Sequence, residues 1–158
     1  MTKKRYLFTC NDYVGKTMAG PGMRYWELAQ ELSKKGHEAV ILSRLIQKDL
    51  FSNQLIYLGK TSLLNLIKWF KWADCIIQVG RPLPMLLSAI FKKKYIFDQY
   101  DPVIFEILES KGDSLLQRIK KNLFIYLWKI RQRLILKLGN FFLVANEKQK
   151  DLLIGQLS

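Results

Sequence analysis

The 158-residue sequence carries 26 Lys and Arg against 13 Asp and Glu, a formal net charge of +13, with one His, two Cys and 49% hydrophobic residues. That length suits one domain with its own core, and the apolar content excludes a disordered tail. A basic excess of this size attracts phosphate-bearing partners without choosing among nucleic acid, anionic lipid and a nucleotide-linked substrate.

Lys3, Lys4 and Arg5 precede the apolar run Tyr6 to Cys10, which is too short for a signal peptide. The longest uncharged apolar stretch, Pro82 to Phe91, falls well short of the roughly 18 to 20 residues that a membrane-crossing helix needs. A cytoplasmic chain is expected. Cys10 and Cys75 sit in strand-like apolar runs and read as two buried thiols. With one His and two scattered Cys, no metal site is expected.

In chain order, strands are predicted over Arg5 to Cys10, Ala39 to Leu42, Leu55 to Leu58, Cys75 to Val79, Tyr95 to Phe97 and Phe141 to Val144. Most are continuous apolar runs, the pattern of strands covered on both faces. Helices are predicted over Met23 to Lys35, Ser62 to Lys71, Pro84 to Phe91, Ser114 to Leu138 and Glu147 to Gln156. This alternation predicts a single α/β domain over residues 1–158: a Rossmann-like, open and mostly parallel sheet with helices on both faces.

Ligands of such sheets bind beyond the carboxyl ends of the strands. The first strand is followed there by a loop from Asn11 to Gly22 with three glycines, and then by Arg24. Backbone N–H groups at the start of a helix can hold a phosphate, so Gly20, Gly22 and Arg24 are candidate phosphate contacts; the alternative is a loop whose glycines serve turns alone. Two named motifs fail: a P-loop ending in Gly15-Lys16-Thr17 would need glycine where Cys10 stands, and a dinucleotide fingerprint from Gly20 and Gly22 would need a small residue where Tyr25 stands. Arg81 is an anion contact or a solvated loop charge. Asp98 and Asp101 are either carboxylates that orient a hydroxyl or act as a base, or groups that cap the local backbone.

The segment Ser114 to Leu138 holds most of the charge signal. Leu116, Ile119, Leu123, Leu127, Ile130, Leu134 and Leu138 advance by three or four and form one stripe, expected to pack on the sheet. Phe124, Ile125, Trp128, Ile135 and Leu136 project elsewhere, among lysines and arginines. That second face reads either as a membrane-surface element carried by Lys121, Trp128, Lys129, Arg131 and Arg133, or as a face covered by further protein. Nucleic acid is not an expected partner, because no known motif accompanies the charge.

The run Ala19-Gly20-Pro21-Gly22-Met23-Arg24-Tyr25-Trp26-Glu27-Leu28-Ala29, then Lys35-Gly36-His37-Glu38, resembles the amino-terminal domain of a family 4 glycosyltransferase. Asp74 to Gln78 with Gly80-Arg81, Phe97 to Pro102 and Ala145 to Asp151 agree in the same order. The resemblance implies one half of a GT-B fold, the acceptor side, with its active site in a cleft between two Rossmann-like domains. It implies a nucleotide-sugar as substrate, no cofactor or required metal, and an acceptor that in many members is lipid-linked at the cytoplasmic membrane face. It places Gly20, Gly22 and Arg24 at the donor's phosphates, and Asp98 and Asp101 as catalytic candidates. The nucleotide-holding C-terminal domain of that family, with its Glu-x7-Glu pattern, has no counterpart in these residues, so the isolated chain is expected to be inactive and a separate C-terminal partner is an expectation. The alternative is a non-catalytic Rossmann-like module that binds a small molecule or a membrane surface.

Overall fold

The computed structural model describes residues 2–10, 12–15, 17–43, 55–58, 62–79, 81–99, 109 and 114–157. Six strands, β1 (Arg5–Thr9), β2 (Glu38–Leu42), β3 (Leu55–Leu58), β4 (Cys75–Gln78), β5 (Lys94–Gln99) and β6 (Phe141–Val144), form one sheet in the order β3-β2-β1-β4-β5-β6. Every neighbouring pair is parallel, with Leu7 opposite Val40 on one side and Ile76 on the other. The order reverses between β1 and β4, which opens a crevice at their carboxyl ends.

The helices are α1 (Gly20–Lys34), α2 (Leu63–Trp72), α3 (Pro82–Ile90), α4 (Leu115–Leu138) and α5 (Glu147–Leu157). Alternation along the strands divides the core into two layers. Phe8, Ile41 and Ile77 pack with Tyr25 and Ala29 of α1 on one face. Leu7, Val40 and Ile76 pack with Phe70 of α2 and Leu87 of α3 on the other, where Tyr95 and Phe97 meet Met85 of α3 and Ile135 of α4. The central strands are therefore covered on both sides, as their unbroken apolar sequences require.

Local signals set the helix ends. Gly36 turns the chain from α1 into β2 with φ of +84°, a conformation costly for any residue with a Cβ. Ser62 accepts from the Asn65 N–H at 3.3 Å to cap α2. Ser114 and Gln117 close a reciprocal capping box on α4. His37 lies at the far edge of the sheet, where its Nδ1 accepts from the Lys4 N–H at 3.4 Å. Cys10 and Cys75 are both free and buried, and burial pushes each thiol up to about 11.

One prediction is reversed. The seven-residue stripe from Leu116 to Leu138 faces outward, with exposures from 37% to 69%, while Gln132 and Ile135 are buried and Ile125, Trp128 and Leu136 are half-buried. Of the residues assigned to a membrane surface, Trp128 and Lys121 turn partly inward. Arg131 donates to the Val79 carbonyl at 2.5 Å, and burial draws its pKa down. Only Lys129 and Arg133 of that set are exposed. Both faces of α4 are apolar, so periodicity identified the two stripes but could not say which one meets Phe97 and Met85.

Candidate functional site

The crevice at the carboxyl ends of β1 and β4 is bordered by the segment after β1, the start of α1, the start of α3 and the end of β5. The described residues of the segment after β1 are partly packed against the domain. Val14 is buried in the α1-side core, and the Ser43 hydroxyl donates to the Asp12 carbonyl at 2.6 Å. Gly22 lies buried in the first turn of α1, where a Cβ would collide with the Tyr13 carbonyl oxygen. The missing Cβ therefore allows a backbone-to-helix contact, a requirement for glycine beside the one expected from a phosphate. Gly20 is exposed as the first residue of α1, with Pro21 beside it and no side-chain cap on the helix. The helix thus begins three residues earlier than predicted, because proline is compatible with a first turn.

Arg24 and Asp98, 74 residues apart in sequence, come together here. The Arg24 Nε donates to Asp98 Oδ2 at 3.1 Å; the arginine side chain is 24% exposed and the carboxylate 1%. Burial raises the Asp98 pKa above its usual range, and the Arg24 charge and hydrogen bond partly offset it. Asp98 Oδ1 has no hydrogen-bond partner among the described residues, nor has the buried hydroxyl of Tyr25. Burial, with the Asp98 charge second, also pushes the Tyr25 phenol well up. Asp98 was expected to present its carboxylate to a hydroxyl or to tie the local backbone. In the structure it is buried and engages Arg24, the more exposed partner of the pair. Asp101 lies outside the described residues.

Arg81 is the N-cap of α3 and half-buried. Its N–H donates to Gln78 Oε1 at 3.2 Å, and the Thr9 hydroxyl lies 3.5 Å from the same oxygen. The fully buried Gln78 thus ties β1, β4 and the start of α3 together, while its Nε2 and the Oε1 of Gln99 lack partners among the described residues. Sequence reasoning missed Tyr25, Gln78 and Gln99 as parts of this site. The available signal was a glutamine ending each of two strands, after the apolar run Cys75 to Ile77 in one and after Tyr95 to Asp98 in the other, a residue type whose burial demands hydrogen bonds.

Comparison with known proteins adds one finding. No family model and no curated protein matches the sequence. Among solved structures, the chain is similar to an α-glucosyltransferase determined in complex with UDP and a 13-mer DNA containing an HMU base, at 12% identity and a TM-score of 0.50. What the two share is a fold. The match covers 90% of this chain and 38% of the other, so the present chain spans well under half the length of its structural neighbour. The Rossmann-like expectation therefore holds against an experimentally determined relative in structure, one with glycosyltransferase architecture.

Proposed function

We propose that this chain is the acceptor-side half of a family 4-type glycosyltransferase, which transfers a sugar from a nucleotide-sugar to an acceptor when joined to a second, nucleotide-holding Rossmann-like domain. The observation that carries the proposal is the Arg24–Asp98 pair at the switch crevice of a fold shared with an α-glucosyltransferase. In the shared fold the carboxyl ends of the strands are where a ligand lies. Arg24 supplies a positive charge to the donor's diphosphate or the departing nucleotide, and preorganised charge of this kind stabilises a transition state most when it does not have to reorient. Asp98 is then a positioning residue, fixing the guanidinium from behind. The uncapped start of α1 places the Gly20 end of the helix, positive by its dipole, on the same side. Arg81 is the second cation bordering the crevice, and Asp101 remains the candidate for orienting the acceptor hydroxyl. The acceptor is lipid-linked and reaches the site from the cytoplasmic membrane face.

The test is incorporation of radiolabelled sugar from a panel of UDP-, GDP- and ADP-sugars into extracted lipids, with the chain co-expressed with the reading frame that follows its last codon. Labelled product that falls at least 100-fold in Arg24→Ala, an order of magnitude typical of losing one charge-stabilising group, is expected. Asp98→Asn should lower turnover while leaving substrate KM close to wild type. Transfer unaffected by Arg24→Ala, or a following frame without a nucleotide-binding domain, overturns the proposal.

A further inference from the structure

The side of the sheet covered by α2, α3 and α4 has an outer surface that the crevice does not use. Its dominant feature is the exposed stripe of α4. Steps of three, four and four residues return to nearly the same angle after about three helical turns, so the stripe runs straight along a helix of about 36 Å. Phe124 and Tyr126 border it, 45% and 62% exposed. α3 packs beside α4 and presents Leu83, Leu86 and Ile90 to solvent, and α2 presents Leu63 and Leu64. An exposed apolar surface of this breadth on a soluble face marks an interaction site.

The charges are as one-sided as the apolar groups. α2, α3 and α4 contain no acidic residue, whereas Lys68 and Lys71 on α2 and Lys120, Lys129, Arg133 and Lys137 on α4 are exposed. At about 100° per residue, Lys129 and Arg133 flank the stripe on one side and Lys120 on the other. The acidic residues of the described helices otherwise lie on α1 and α5. A second copy pressed on this layer would set cations against cations across the whole contact, so charge complementarity selects an anionic partner. The continuous line of leucines needs an apolar phase beside that anionic surface, which a nucleic-acid backbone does not offer. No helix among the described residues is long and apolar enough to cross a membrane, so the contact is peripheral.

We infer that the outer face of the α2–α3–α4 layer docks on an anionic phospholipid surface, the Leu116 to Leu138 stripe entering the interface while the flanking lysines and arginines meet the headgroups. This surface is the reverse of the Trp128 face that sequence alone suggests; it deepens the membrane-face part of the proposed function, while vesicle binding is measured apart from sugar transfer, so either can fail without the other.

Flotation of the full chain with phosphatidylcholine vesicles, with and without phosphatidylglycerol, tests the inference. Binding is expected on the mixed vesicles, weak on pure phosphatidylcholine and reduced by high salt. The exposed double substitution Leu123→Asp with Leu127→Asp should lower binding at least ten-fold while circular dichroism and the melting curve stay those of wild type. Lys129→Glu with Arg133→Glu should weaken binding several-fold and flatten its salt dependence. If the aspartate pair disturbs folding, Leu123→Ser with Leu127→Ser is expected to show the same loss in a folded chain. Equal binding to both vesicle types, unchanged binding by a folded Leu123/Leu127 variant, or a salt-stable dimer that binds no vesicles and dissociates in that variant, overturns it.

Discussion

The two faces of the sheet differ in how they end. On the α1 side, among the described residues, α1 packs on the core and brings its first turns against polar groups: Gly22 meets the Tyr13 carbonyl, Tyr25 is buried and Arg24 pairs with Asp98. On the other side three helices bury their inner surfaces and leave outer ones that are apolar and basic, without a carboxylate. Apolar residues at helical spacing therefore carry two meanings in one chain. On α1 they mark the core; on α4 the longer stripe marks a surface.

The largest expected effect follows from adjacent residues of α4. Ile135→Ala, in a fully buried site, should cost about 3 kcal/mol in denaturant unfolding, whereas Leu134→Ala, 43% exposed, should cost less than about 0.5 kcal/mol. Equal costs would dissolve the contrast between the faces.

Next comes Arg24→Ala, which leaves the Asp98 carboxylate buried without its cation and should cost about 2 kcal/mol near neutrality, below the range for wholly buried pairs because Arg24 is partly exposed. The sign with pH is specific. Burial already raises the Asp98 pKa, so the native state holds this proton more tightly than the unfolded chain, and stability from this group falls as pH rises through the window above the unfolded value. Removing Arg24 raises that pKa further. The deficit of the variant relative to wild type should therefore shrink on acidification as Asp98 takes its proton, measured as the difference between paired denaturation curves. A deficit that stays the same from neutral pH into acid would show that the Asp98 charge does not depend on Arg24.

Gly22→Ala tests the close approach on the α1 side. A helix gains up to about 1 kcal/mol from alanine, but collision with a backbone carbonyl costs about 1 to 3 kcal/mol, for a net loss of about 1 kcal/mol. Stabilisation would show that the segment after β1 yields freely. The smallest effect is Asp74→Asn at the opposite edge, where the Arg5 guanidinium donates at 2.8 Å in an exposed pair and holds the Asp74 pKa down. That contribution is present above the unfolded carboxylate value and is lost as pH falls through the folded one, so the variant should lose its small, salt-sensitive deficit in acid.

Much of this was legible in sequence. The six strands and five helices lie within a few residues of their predicted positions, because apolar runs, Gly36 and the Ser114 capping signal act over a handful of neighbours. Arg24 and Asp98 were both named from sequence, but their pairing with each other was not legible there. The close approach of Gly22 to the Tyr13 carbonyl was not legible, because a glycine needed for such an approach looks, in one dimension, like a glycine needed for a phosphate. Gln78 and the place of Tyr25 beside Asp98 were missed because both arise from strands and helices distant in the chain.

The sequence by itself determined which residues share a strand or a helical face, since those periods are properties of the local backbone. Tertiary structure alone decided which face of α4 turns inward and what Arg24 touches. Both depend on contacts between groups far apart in the chain, 52 residues for Arg131 with Val79 and 74 for Arg24 with Asp98. An apolar stripe lowers its free energy against any apolar surface, so only the packed arrangement of the remaining elements selects the sheet for one stripe and leaves the other outside.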